Sequence, residues 1–476
     1  MSKNKLKDKD LREIGYNNGR LLGLGIQTVK AHFDTLEKEQ KLALLSEIWQ
    51  QPASFLESDI WAKLAKEILA YREVEDLKKA AEDAITYELK TQAAPLVIYG
   101  REQIEDEAVR QIAIASRLPV AHSAALMPDA HTGYGLPIGG VLAAENAVIP
   151  YGVGVDIGCR MCLSLYDIAP DFEKKKAGKF EDLLLKNTRF GAGVSFEKPY
   201  DDEIFSRNEF SVLKYAKSLK DLAFKQIGSS GGGNHFVEFG IIEILDANNE
   251  FKLPLGKYLG LLSHSGSRGF GASIANHYTE LAKKICRLPK EAQNLAFFTL
   301  DSEEGNEYWL SMNLAGDYAS ACHHHIHRRM SESLGEKPIL MIENHHNFAW
   351  KELLPDGREL IVHRKGATPA GEGVYGIIPG SMTSKGFIIR GKGNPASINS
   401  ASHGAGRLMS RSKALQSITP KQLRETLDKF GVTLIGGGLD EAPQVYKNID
   451  EVMRLQLDLV EVIGSFQPKV VRMAAD

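Results

Sequence analysis

From about Leu118 onward, short β-branched runs alternate with glycine-punctuated loops, as in Gly139-Gly-Val-Leu-Ala-Ala144 and Gly386-Phe-Ile-Ile-Arg390. No regular strand–helix–strand repeat runs through them, which points to an α+β fold and away from a doubly wound parallel sheet. Longer helical patterns fall near Phe205 to Gln226, Ser273 to Cys286, Asn306 to Leu334 and Ile449 to Gly464. Ahead of this region, residues from about Leu11 to Leu96 read as helical, with apolar residues recurring at three- and four-residue steps around Leu44-Leu45, Ile48-Trp49, Leu64-Ala65 and Ile68-Leu69. Ala94 to Gly100 then reads as a first strand and Ile104 to Ser116 as an amphipathic helix. The expected organisation is a helical extension over 1–95 and one large domain of mixed strands and helices over 96–476.

The charged start, Met1-Ser-Lys-Asn-Lys-Leu-Lys-Asp-Lys-Asp10, lacks the apolar segment of a secretory signal. No apolar run approaches the roughly 18 residues of a membrane span. Four cysteines in 476 residues do not make a disulfide framework. The expectation is a cytoplasmic protein without membrane partners. A net charge of −3 argues against coating nucleic acid through bulk charge, but leaves room for a local basic surface. Between Glu372 and Glu425 there is no acid, whereas Lys385, Arg390, Lys392, Arg407, Arg411, Lys413, Lys421 and Arg424 are all cationic. Unopposed, these would attract phosphates; the alternative is a chance gap on a solvated face.

Five motifs carry possible chemistry. The first is Met127-Pro-Asp-Ala-His-Thr-Gly-Tyr-Gly135 with Gly152-Val-Gly-Val-Asp-Ile-Gly-Cys-Arg160. Asp156 and Cys159 stand three apart beside glycines, where a carboxylate and a thiolate can converge on a divalent ion and a thiolate can bridge two. Alternatively, Asp156 caps a turn and Cys159 is a small buried hydrophobe. The second, Gly228-Ser-Ser-Gly-Gly-Gly-Asn-His-Phe-Val-Glu238, delivers Asn234, His235 and Glu238 from a glycine loop that allows close backbone approach to a ligand. The third, Ser263-His-Ser-Gly-Ser-Arg-Gly-Phe-Gly271, and the fourth, Ile342-Glu-Asn-His-His-Asn-Phe348, put histidines at the ends of apolar runs. Three such histidines joined to an Asp/Cys pair favour a metal centre. The fifth, Ala401-Ser-His-Gly-Ala-Gly-Arg-Leu-Met-Ser-Arg411, sets His403 beside glycines with Arg407 and Arg411 nearby. A neutral imidazole there can attack phosphorus, or be a spectator to an anion bound at a helix N-terminus. No P-loop is present. Cys162 reads as core, and Cys322-His-His-His-Ile-His327, with His323 and His327 on one face, reads as a solvated helix rather than a metal site.

In order and rough spacing these motifs resemble the RtcB-type RNA ligases, from about residue 95 onward. Gly380-Ser-Met and His363-Arg-Lys-Gly-Ala-Thr368 fit the same pattern. The resemblance implies an RtcB-like catalytic domain that joins RNA 3′-phosphate or 2′,3′-cyclic phosphate ends to 5′-hydroxyl ends, in RNA repair or tRNA splicing. It implies two manganese ions held by Asp156, Cys159, His235, His264 and His346, with Cys159 shared, and GTP that guanylylates His403. Asn234, Glu238, Asn347, Gly380, Ser381, Met382, Gly404, Gly406 and Arg407 would surround the nucleotide. Asp129, Arg268, Lys385 and Arg411 would contact RNA or phosphate, and the protein would act as a monomer. The chain departs from the family in lacking a C-terminal Lys-Gly that helps read guanine, and in carrying Asp317-Tyr-Ala319 and Cys322-His323 where relatives tend to have Asn-Tyr-Ala and Asn-Arg. The missing lysine leaves an alternative, a relative that guanylylates or trims phosphorylated ends without sealing; a non-catalytic RNA-binding protein is a further alternative, against which the complete set of Asp, Cys and four His argues.

Overall fold

The computed structural model describes residues 6–56, 58–82, 84–172, 174–191, 193–354 and 357–475. The chain forms two compact units, Met1–Ile85 and Thr86–Asp476. In the first, helices Asp8–Glu13, Gly19–His32, Lys38–Gln50 and Ala62–Glu82 bury Leu11, Tyr16, Leu21, Val29, Leu45, Ile48, Trp61, Leu64 and Ile68. The apolar three- and four-residue spacing supplies that buried face. Asn18 caps the second helix, its side chain accepting from the amides of Arg20 and Leu21. The expected helical pattern continued to about Leu96, but helix ends at Glu82. Residues 86–95 are held by the larger unit instead: the Lys90 and Ala94 amides donate to the carbonyls of Arg117 and Ser116 at 2.7 and 2.8 Å.

The larger unit holds two main sheets. The first runs, in hydrogen-bonded order, Leu340–His345, Arg160–Tyr166, Gly256–Ser265, Phe236–Ile244, Val460–Met473, Gly386–Gly391, Tyr375–Ile378, with Thr433–Ile435 parallel to Val460–Met473. The second runs Asn347–Leu353, Glu359–Lys365, Leu136–Glu145, Ala121–Tyr134, Leu96–Ile98. Its last pair is parallel and the others antiparallel. This mixture is the expected α+β class. His346 lies where the chain leaves the first sheet and enters the second.

Two long helices, Arg268–Ile285 and Glu303–Leu334, contribute Phe270, Tyr278, Tyr308 and Tyr318 to the main core. The second is capped by Ser302, which accepts from the Gly305 amide, and ends at Gly335 in the left-handed region (φ 80°). Two expected helices differ. Phe205 to Gln226 breaks into short pieces, Glu209–Val212, Lys214–Ser218 and Lys220–Gln226. Ile449 to Gly464 is helical only over Ile449–Arg454; the β-branched Val460, Val462 and Ile463 begin a strand that pairs first with Gly386–Gly391 and, from Gly464, also with Phe236–Ile244.

Candidate active site

Four strand ends and one loop converge at the mouth of the first sheet. The loop 154–159 turns through Gly158 (φ 70°), where a Cβ would meet the Gly316 Cα at 2.8 Å. It presents Asp156 and Cys159 just before the strand Arg160–Tyr166. His235 immediately precedes Phe236–Ile244, and His264 is next to last in Gly256–Ser265. His346 is tied in through its amide, which donates to the Cys159 carbonyl at 3.0 Å.

These side chains form two donor triplets, Asp156/Cys159/His235 and Cys159/His264/His346, with the sulfur common to both. Cys159 Sγ lies 3.5 Å from His235 Nε2 and 3.2 Å from His264 Nε2. The two Nε2 atoms of His264 and His346 are 3.2 Å apart. His235 Nε2 is 2.9 Å from Asp156 Oδ2. His264 Nδ1 donates to the Asn234 carbonyl at 2.9 Å, which turns the Nε2 lone pair toward the sulfur. Burial pushes the His264 imidazole down to about 3, and burial followed by the neighbouring His403 pushes His346 well below its usual range. Both are therefore neutral, the form that ligates metal. Burial and then Asp156 push the Cys159 thiol up. Burial alone would raise Asp156, but its hydrogen bond to His235 and the adjacent charges hold it below the usual carboxylate range. Cys159 Sγ and the Nε2 atoms of His235, His264 and His346, facing one another at this separation, fit a centre built around cations.

His403 follows the short strand Ser400–Ser402. Its Nδ1 lies 2.7 Å from Asp129 Oδ2, which also accepts from the amides of His403 (3.1 Å) and Gly404 (3.3 Å). Gly406 (φ 73°) permits this approach, since a Cβ there would stand 2.0 Å from the Asp129 carbonyl oxygen. Lys447 braces the other side, donating to the carbonyls of Pro128 and Ala130 at 3.0 and 2.8 Å. Burial opposes ionisation of Asp129, but the charge and hydrogen bond of His403, then Lys447, hold its carboxyl low. The carboxylate favours the arrangement in which Nδ1 donates to it, the tautomer whose Nε2 carries the lone pair. The His403 ring is 5.0 Å from that of His346.

A cavity of about 760 Å³ joins the two features. Its lining includes the five residues of the donor triplets and Asn234, Glu238, Asn347, Gly380, Ser381, Met382, His403, Gly404, Gly406, Arg407 and Arg411. Glu238 is buried, and burial raises its carboxyl well above the usual carboxylate range. Asn347 Oδ1 accepts from the Gly366 amide at 2.8 Å.

Three residues expected to contact phosphate are engaged by other protein groups. Asp129 is fully buried behind His403. Arg268 is nine-tenths buried and donates to the Gly191 carbonyl and Ser229 Oγ. Lys385 lies outside the lining, 3.4 Å from Asp450. The acid-free stretch is not unopposed in space either. Arg390 pairs with Glu461 at 2.7 Å, Arg407 with Glu441 at 3.4 Å, and Arg411 with Glu441 at 2.5 Å and with Asp440. Acids from later in the chain fold back onto it. Lys365, in contrast, lines the cavity without having been singled out. It donates to the Tyr134 carbonyl at 2.7 Å, sits 4.7 Å from the Tyr151 ring centroid, and burial pushes its ammonium down to about 7. A lysine closing an apolar strand immediately before Gly366 was the available signal.

Residues 111–474 match a family model described as tRNA-splicing ligase RtcB. The chain is 32% identical to an RNA-splicing ligase RtcB of Escherichia coli, over 81% of this chain and 99% of that protein. It is 29% identical to a tRNA-splicing ligase RtcB of Thermococcus kodakarensis (83% and 98% covered) and 28% identical to one of Nanoarchaeum equitans (83% and 99%).

Proposed function

Because the chain belongs to the RtcB family, we propose that it is an RNA ligase joining 3′-phosphate or 2′,3′-cyclic phosphate ends to 5′-hydroxyl ends through a histidine–GMP intermediate, in RNA repair or tRNA splicing. The observation that carries this reading is the His403 imidazole, fixed by Asp129 and turned into the same cavity as the Cys/His donors. His403 Nε2 would attack the α-phosphorus of GTP, forming an N–P bond as the bond to pyrophosphate breaks. The proton stays on Nδ1, where the Asp129 carboxylate offsets the charge developing on the ring. GMP would then pass to the RNA 3′-phosphate, a cyclic end being opened first, and the 5′-hydroxyl would displace it. Two manganese ions held by the triplets sharing Cys159 would polarise the phosphates and lower the pKa of an attacking hydroxyl. Lys365 and Arg411, which line the cavity, would bind phosphate oxygens, and Glu238 would hydrogen-bond a base.

The test is incubation with manganese and GTP labelled at the α-phosphate. Acid-labile label on the wild type and none on His403→Ala is the expected result. No label on a metal-loaded wild type would sink the reading. Product from end-labelled RNA separates the alternatives: a longer strand reports sealing, a capped or dephosphorylated one reports modification alone.

A further inference from the structure

A second Cys/His cluster lies on the opposite face of the first sheet. In the strands Arg160–Tyr166 and Gly256–Ser265, Met161 is paired with His264 and Cys162 with Ser263. Met161 and His264 line the cavity, so strand alternation turns Cys162, Ser164 and Ser263 the other way, toward the helix Glu303–Leu334. That helix presents His323 and His327, four residues apart and hence on one face. One donor atom each of Cys162, His323 and His327 lies within 4.8 Å of the others, and all three side chains are fully buried.

The imidazoles are oriented as metal-binding histidines are. His323 Nδ1 and His327 Nε2 both point at Ser263 Oγ, at 2.6 and 2.8 Å. Their outer nitrogens are anchored, His323 Nε2 to the Ser265 carbonyl at 3.1 Å and His327 Nδ1 to Ser164 Oγ at 2.7 Å. An outer hydrogen bond that aims the inner lone pair is what orients ligating histidines. Without an ion the network closes if Ser263 donates to His323 and accepts from His327, but nothing in that arrangement uses the Cys162 sulfur.

We propose that Cys162, His323 and His327 form a buried structural site for a borderline-soft divalent ion of the zinc type, with the Ser263 hydroxyl in the fourth position. One thiolate, two imidazoles and one oxygen, closed to solvent, match a four-coordinate structural centre more closely than a catalytic one, which keeps an open position. Binding would release the Cys162 thiol proton to solvent as the metal–sulfur bond forms. The site would clamp the helix to two of the four strands whose ends carry donors of the candidate active site, because Ser263 adjoins His264 and Cys162 follows Cys159 by three residues.

The experiment separates this ion from those of the active site by working in a Cys159→Ala background. The full chain, freed of metal and reloaded with cobalt, is expected to show thiolate-to-cobalt charge transfer and tetrahedral d–d absorption. Both should disappear when Cys162→Ala is added, with the loss of one metal equivalent per chain. His327→Gln, scored for folding by circular dichroism, is read the same way should Cys162→Ala not fold. Against the unaltered Cys159 background, Cys162→Ala should also bind one ion fewer than wild type. Absence of a thiolate–cobalt band in folded Cys159→Ala, or equal metal content with and without Cys162, overturns the proposal.

Discussion

His403 and Asp129 stand 274 positions apart, and their hydrogen bond decides what the imidazole can do. Replacing the carboxylate by an amide keeps the shape but permits an N–H to face Nδ1, which would favour the tautomer with its proton on Nε2, the attacking atom. Asp129→Asn is therefore expected to slow transfer of label from GTP by at least about 100-fold, the lower range for a positioned acid–base partner. Near-normal labelling kinetics would show that Nδ1 is held by something else. At this scale the donor residues were legible, since each stands within two residues of Gly or Asn and close to an apolar run. The role of Asp129 was not: its motif marked it out, but its partner arrives from the far end of the chain.

Among the elements, the loops entering the strands are shaped by side chains they must avoid. A Cβ at Gly266 would lie 2.1 Å from Asp156 Oδ1, and one at Gly231 2.1 Å from His235 Nδ1. Gly266→Ala is expected to displace Asp156, lowering metal content and abolishing label transfer while the helices remain; full metal occupancy in that variant would contradict the packing argument. The helix Glu303–Leu334 was visible as a periodic pattern, but its histidine-rich turns read as solvated, and His323, His325 and His327 are in fact buried. Hydropathy cannot reveal this, because the groups that satisfy His323 and His327 are hydroxyls and a carbonyl on strands far away in sequence. The strand Val460–Met473 was hidden in a similar way: the helical pattern begun at Ile449 runs into it, and only pairing with Gly386–Gly391 marks the change.

For the molecule as a whole, buried neutral histidines set the acid limit of stability. His363 Nδ1 donates to the Leu142 carbonyl at 3.2 Å, and its Nε2 accepts from the Ile149 amide at 2.9 Å, so a second proton would oppose that N–H. Burial pushes its pKa down to about 4. Between its free value of about 6.5 and that figure, the unfolded chain takes up a proton the folded chain refuses. Stability is therefore kept above about pH 6.5 and falls as pH drops toward 4, by about 2 kcal/mol at pH 5 from this group alone. Urea midpoints at pH 7.5 and pH 5 should differ more for wild type than for His363→Gln, and equal differences would rule out His363 as the source. No helix among the described residues is long and apolar enough to cross a membrane.

The types and order of the donors, the mixed α+β texture and the resemblance to a family were readable along the chain, because identities and spacings of a few residues carry them. Which groups meet depended on how the strands and helices pack. It set Asp129 behind His403, brought Asp440, Glu441 and Glu461 onto a stretch that is acid-free along the chain, and placed Cys162 opposite His323 and His327. Hydrogen bonds and ion pairs act over a few ångströms of space, whatever the separation in sequence. A periodicity of 2 or 3.6 residues reports which face a side chain takes, but not what that face will touch.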